Sequence, residues 1–223
     1  MNVSDGSFFF SFASKVEMMM KPRWVLLWFI FSLCVPFSYG QEVKRLENET
    51  LENMARRNGP SQSELAHAVI ETEAWGRQKT MIVFYAVEVK DKYGAHGQVD
   101  GYLFLPISPN TYQKILIKNF EPEGGDPKIE AAFFANADKD AARELIIICS
   151  WPQQHYDVSG TLYGTFIFDD LRPGATPTKL SFLEGISNKV SGSCDCTDRN
   201  GKRRTSKYKT AVSVKAGLKK LGF

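Results

Sequence analysis

The spacing of apolar residues changes twice along this chain. From Gln41 to Met54 it is helical: Val43, Leu46, Thr50, Leu51 and Met54 recur at intervals of three and four, with Glu and Arg between them. Asn58-Gly59-Pro60 stops that predicted helix, and Ser61-x-x-Glu64 reads as a capping box opening a second one through about Gly76, with Leu65, Val69 and Thr72 on one face. From Thr80 the period falls to two. Met81, Val83, Tyr85, Val87 and Val89 share one face of a predicted strand, Lys90 to Gly97 reads as a turn, and Val99 to Ile107 is the returning arm, ended by Pro106 and Pro109. Tyr112 to Phe120 alternates again, and Glu121 to Pro127 is a loop. Ala131–Phe134, Leu145–Cys149 and Leu162–Phe168 are further strands, while Lys179 to Ile186 fits strand and helix equally. The helical period returns at the end, where Thr210 caps a helix striped by Val214, Leu218 and Leu221 and closed by Gly222.

Six strands between terminal helices predict an α+β domain built on a mainly antiparallel sheet. Leu145 to Cys149 is unbroken apolar, which places that strand at the sheet centre with both faces covered. No repeat of about 20 to 50 residues appears, which counts against a propeller or solenoid.

The N-terminus has a different texture. Lys21 and Arg23 precede the apolar run Trp24 to Val35, followed by Pro36 and Ser38-Tyr39-Gly40. A basic segment, a short apolar segment and small residues at −3 and −1 predict a secretory signal peptide over residues 1–40. The run is shorter than the roughly 20 residues a membrane helix needs, so no stable membrane span is expected after cleavage. Leu33 before Cys34 excludes lipoprotein processing. Residues 1–19 read as an extension of the gene model ahead of a start at Met20. The expected address is therefore the periplasm or the extracellular space. Residues 41–223 form one expected domain, with a helical lead-in at 41–78, a β-rich core at 79–187, a basic, cysteine-bearing loop at 188–209 and a final helix at 210–223. Apolar residues at 43% and charged residues at 24% exclude a disordered chain. Export permits disulfides, but Cys149, Cys194 and Cys196 are an odd number, so at least one thiol lacks an intrachain partner. Cys149 reads as a buried small hydrophobe. Cys194-Asp195-Cys196 reads as a pair of loop cysteines, one of them open to a bridge elsewhere, with no second pair to complete a zinc site.

Charge is unevenly placed. Gln41 to Asp198 holds 23 acidic and 16 basic residues, whereas Arg199 to Phe223 holds nine basic residues and no acid. Either the segment balances the acidic body within one molecule, or it takes an anionic partner, with Lys202, Arg203 and Arg204 its densest part. Only Tyr208 interleaves the cations, which leaves no base-stacking platform. Export also argues against nucleic acid, so an anionic surface polymer is the expected partner of this segment. Catalytic constellations are not evident. His96 and His155 lie in separate predicted loops, and there is no G-x-S-x-G elbow or phosphate-cradling glycine loop. Glu121, Glu123 and Asp126 sit in a Pro/Gly loop that would hold carboxylates poorly. His155, Tyr156 and Asp157 read as a polar turn rimming a binding surface. The chain is therefore expected to bind and not to catalyse.

One stretch carries specific chemistry. Between Phe134 and Leu145, counting from Asn136, oxygen-bearing side chains fall at positions 1, 3, 5 and 9: Asn136, Asp138, Asp140 and Glu144. Ala142, at position 7, offers a backbone carbonyl. Calcium takes six to eight hard oxygens, which a short loop supplies by turning alternate groups inward. Three carboxylates so close in sequence would repel one another without a cation. This pattern resembles the D-x-D-x-D-G-x-x-D loop of FG-GAP (integrin-type) repeats. It is also similar to the single such loop of small periplasmic calcium-binding proteins related to lysozyme inhibitors and immunity proteins, where it likewise joins two strands. Gly160-Thr-Leu-Tyr-Gly164 leading into Phe166-Ile-Phe-Asp169 is a second point of similarity. The chain as a whole resembles a family of small secreted bacterial proteins, a resemblance that implies export but no activity.

The chain departs from the loop pattern at Ala141, where the pattern has Gly, and at neutral Asn136. Ile147 at position 12 excludes an EF-hand. The resemblance implies a structural Ca2+ of weak affinity, about 10⁻⁴–10⁻³ M, clamping two strands. It also implies a protein partner in the cell envelope: an inhibitor or immunity-like binder of a cell-wall hydrolase, with His155 to Gly160 as the loop that enters the partner's cleft.

Overall fold

The computed structural model describes residues 40–75, 79–92, 94–171 and 177–223. The expected leader lies outside them, apart from Gly40. Among the described residues, all strand pairings are antiparallel and fall into two sheets. The first runs β1 (Gln41–Lys44), β6 (Thr111–Phe120), β5 (Gly94–Ser108), β4 (Thr80–Asp91), with β2 (Glu64–Leu65) and β3 (Ile70–Thr72) one after the other along the free edge of β4. The second runs β11 (Arg203–Arg204), β10 (Cys194–Asp198), β9 (Val158–Phe168), β8 (Glu144–Gln154), β7 (Lys128–Ala135). Three helices accompany them: α1 (Leu51–Arg57), α2 (Glu184–Lys189) and α3 (Ala211–Leu221).

Alternation along the strands sorts the apolar residues into three layers. Between the sheets, Ile82 and Phe84 of β4, Leu103 and Leu105 of β5, and Ile115 and Ile117 of β6 meet Leu145, Ile147, Cys149 and Trp151 of β8 and Phe168 of β9. The outer face of the first sheet, with Met81, Val83, Tyr85 and Phe104, is covered by Met54 and Ala55 of α1. The Tyr85 hydroxyl donates to the Ala55 carbonyl at 2.5 Å and fixes that helix on the sheet. The outer face of the second sheet, with Ile146, Ile148 and Ile167, lies under Val190, just after α2, and under Val214 and Leu218 of α3. The architecture is thus a two-sheet antiparallel sandwich with short helices on its outer faces. Strand β8 is buried on both sides, as its unbroken apolar run requires.

Several expectations need correction. The mainly antiparallel β structure and the C-terminal helix are as expected, but the described residues form eleven strands in two sheets where six in one sheet are expected, and the helices are few and short. Of the two expected N-terminal helices, one forms, seven residues long and capped by Thr50, whose side chain accepts from the Asn53 N–H at 3.1 Å. Gln41 to Lys44 is instead strand β1, because Val43 can bury against Tyr112 of the neighbouring β6. The second expected helix is replaced by β2 and β3, which pair along β4. Its apolar residues pack on the sheet wherever they fall, so helical spacing was a poor guide there. The segment read as a turn from Lys90 to Gly97 is mostly hairpin, paired out to Asp91 and Gly94. The ambiguous 179–186 segment resolves into a bridge from Phe182 to Phe168 followed by α2.

The cysteine-bearing loop is strand β10, and Cys194 is bridged to Cys196, leaving Cys149 as the buried free thiol of the described residues. Gly160 lies opposite Cys196 at a φ of +147°. A Cβ there would collide with the Asp195 carbonyl oxygen and approach the Cys196 Cα to 2.6 Å, so that register needs glycine. The final helix follows expectation: Thr210 and Ser213 form a reciprocal cap, and Gly222 ends it.

The doubly covered strand should govern stability. Ile147→Ala in β8 is expected to lower the unfolding free energy by about 2–5 kcal/mol, while Val212→Ala, at a side chain 79% exposed, should change it by less than about 0.5 kcal/mol. Urea unfolding followed by tryptophan fluorescence measures both.

Candidate metal centre

The loop at 136–143 joins β7 to β8 and is largely tied by its own side chains. The Asp140 N–H donates to Asp138 Oδ1 at 2.8 Å, the Ala142 N–H to Asp140 Oδ1 at 2.7 Å, and Asn136 Nδ2 to the Asp140 carbonyl at 2.7 Å. Such Asx turns are how an Asn/Asp-rich bend supplies its own backbone partners. Trp75 holds the loop's exit, its Nε1 donating to the Arg143 carbonyl at 3.2 Å while its ring meets Phe134 edge-on, with centroids 5.1 Å apart. Ala141 does not adopt a left-handed backbone, so the turn avoids the conformation for which the related pattern uses Gly.

Glu144 is of another kind. It is the first residue of β8 and shares a face with Ile146 and Ile148, which turns its carboxylate towards the apolar layer under the outer helices. The residue is 0% exposed. Its Oε2 accepts from the Ala137 N–H, but its Oε1 is buried with no hydrogen-bond partner. Asn136 Oδ1, in the same loop, is likewise buried and unpartnered.

The third member comes from another strand. β8 and β9 pair Leu145 with Phe168, so the next rung sets Glu144 beside Asp169. Asp138, Glu144 and Asp169 each present a carboxylate oxygen, all within 4.8 Å of one another. Among the described residues, no Lys or Arg forms an ion pair with any of the three. Two ionised carboxylates at this separation repel by roughly 3 kcal/mol at an effective dielectric of about 20. Burial, and then the neighbouring Asp138 and Asp140, push the Glu144 carboxyl above its ordinary value. Burial and the Asp140, Asp169 and Asp138 charges push Asp170 up in the same way. Two things can relieve such a cluster, a proton or a cation. All its donors are oxygen, with no imidazole or thiolate among them, which is a donor set for calcium or magnesium and not for a soft metal.

Of the residues singled out in the loop, the structure brings Asp138 and Glu144 together. Asn136 stays beside them with its orphan oxygen. Asp140 is exposed and outside the group, one of its oxygens engaged by the Ala142 N–H, and Ala142 contributes that N–H to the turn. Asp169 was missed as a ligand candidate, although it closes the second segment of similarity. The register that delivers it is a long-range property that loop spacing does not contain. His155, Tyr156 and Asp157 lie just past the opposite end of β8, whose last residue, Gln154, is ten residues from Glu144 or about 33 Å along an extended strand. They do not converge with the loop acids in one pocket. Tyr156 is 92% exposed. Lys202, Arg203 and Arg204 lie in and after the turn from β10 to β11, all exposed.

The raised Glu144 value has a signed consequence. An acid whose folded pKa exceeds its unfolded one, about 4.5, leaves the folded state holding more protons between those two values. Stability then falls as pH rises through that window. In chelator, Glu144→Gln should therefore be more stable than the parent above the window, and the difference should vanish towards pH 4. Thermal unfolding from pH 4 to 8 reads it directly.

Comparison of the chain with family models, with curated proteins and with solved structures finds no match in any of the three.

Proposed function

We propose that this protein binds a divalent cation, calcium by preference, through Asp138, Glu144 and Asp169, and uses it as a clamp between strands. The observation that carries the reading is the fully buried Glu144 carboxylate, whose Oε1 lacks a partner while two further carboxylates face it. A buried anion without a counter-charge is strongly destabilising, and a cation here would satisfy three acids at once. Bidentate carboxylates, the Asn136 oxygen, a loop carbonyl and water can together make up the six to eight oxygens calcium takes. An enclosed ion of this kind suits a structural task and not an open catalytic one. It would join the root of β8 to the end of β9 and to the loop after β7. The same two strands run on to exposed turns at the far end of the sheet, which is the build of a binding module that offers turns to a macromolecular partner in the envelope.

Calorimetry in EDTA and in 10 mM calcium tests the clamp. With a dissociation constant of about 10⁻⁴ M, calcium should add about 2.7 kcal/mol, raising Tm by roughly 5–10 °C. Asp169→Asn and Glu144→Gln should abolish the rise and Asp140→Asn should keep most of it. A Tm indifferent to calcium, or a rise that survives Asp169→Asn, would sink the reading in favour of a protonated Glu144.

A further inference from the structure

The far end of the second sheet joins two stretches that are remote in sequence. β9 pairs Val158 with Asp198 of β10, and the Arg199 N–H donates to the Asp157 carbonyl at 3.0 Å. The turn between β10 and β11, with its cations, therefore lies against the β8–β9 turn carrying Tyr156.

That basic turn is stiff. Asp198 Oδ1 accepts from the Asn200 and Lys202 N–H groups, both at 2.9 Å, and the Asp198 N–H donates to the Lys202 carbonyl at 3.0 Å. Gly201 supplies the left-handed residue, at a φ of +79°.

Several of the nine C-terminal cations have structural work. Lys209 donates to Asp195 at 2.5 Å, Lys215 sits 5.1 Å from the Phe133 ring centre, and Lys219 and Lys220 stabilise the carboxyl end of α3. Arg203 reaches Asp195 only at 3.9 Å, with its side chain 75% exposed. Among the described residues, Arg199, Lys202 and Arg204 form no ion pair. Four cations within six residues thus stand on a rigid turn beside a tyrosine that is 92% exposed.

We infer that this end of the sheet is a docking surface for an acidic polysaccharide, a soluble polymer with an anionic group on each repeat. The cations take its charges, and the Tyr156 ring offers an apolar face against which a sugar ring can lie. Nucleic acid is disfavoured because stacking of successive bases needs several aromatic platforms and Tyr156 is one. An anionic membrane is disfavoured because Val212 and Leu221, the large apolar residues exposed on α3, are nine positions apart and so on opposite sides of the helix. The surface is separate from the carboxylate cluster, and the inference does not depend on the cation there.

The test is binding of the purified protein to immobilised heparin at constant calcium, with single-stranded DNA and anionic phosphatidylserine vesicles as competitors. About four contacts predict a roughly ten- to hundredfold loss of affinity between 50 and 200 mM salt. The triple change Lys202→Gln, Arg203→Gln, Arg204→Gln should weaken binding at least tenfold at 50 mM salt. Tyr156→Ala should weaken it severalfold without altering the salt dependence. An equal triple reduction of charge elsewhere, Lys44→Gln, Lys90→Gln, Lys179→Gln, should have little effect, with Tm unchanged in all variants. Equal losses from both triples would reduce the effect to net charge and overturn the site. No retention at 50 mM salt, or stronger binding to DNA or vesicles than to heparin, would overturn the assignment of the partner.

Discussion

Strand β8 is buried on both faces, and its first residue is a carboxylate. The rest of the structure depends on that conjunction. Leu145, Ile147, Cys149 and Trp151 fill the space between the sheets, and Ile146 and Ile148 fill the layer under the outer helices, so the strand cannot shift without exposing both layers. Glu144 is carried inward by the same alternation. Its burial follows from the position of its neighbours and not from any preference of its own.

This explains why an acidic loop so ordinary in its local bonding has one extraordinary member. Asp138 and Asp140 behave as turn residues, accepting from N–H groups two positions on. Glu144 has one such bond and one oxygen with nothing to accept from. Asp169, delivered by the β8–β9 register, completes a group of three carboxylates whose oxygens lie within 4.8 Å of one another. Trp75, reaching in from beside β3, ties the loop's exit through the Arg143 carbonyl.

The second sheet is consequently polarised along its strands. Acids gather where β8 begins and β9 ends. At the other end, the turn after β10 presents cations that few carboxylates answer. The Cys194–Cys196 bridge and the glycine opposite it lie in the ladder that holds the basic turn against the tip of the β8–β9 hairpin. Segments that looked in sequence like rival binding candidates, Tyr156 with its neighbours and Lys202 to Arg204, become parts of one surface.

Local pattern determined a good deal of this. Period-two alternation located the long strands, the apolar run at 145–149 marked the strand covered on both sides, and Thr210 with Gly222 marked the final helix, because backbone preference and burial agree in those stretches. Charge content alone separated the acidic body from the basic end. Tertiary structure decided what local preference left balanced. It made strands of Gln41–Lys44 and of two short pieces within 61–76, because the edges of a sheet supply hydrogen bonds and burial that a short isolated helix cannot match. It also chose the third carboxylate and placed the basic turn beside Tyr156, since strand register joins residues whose separation in sequence carries no signal of their contact.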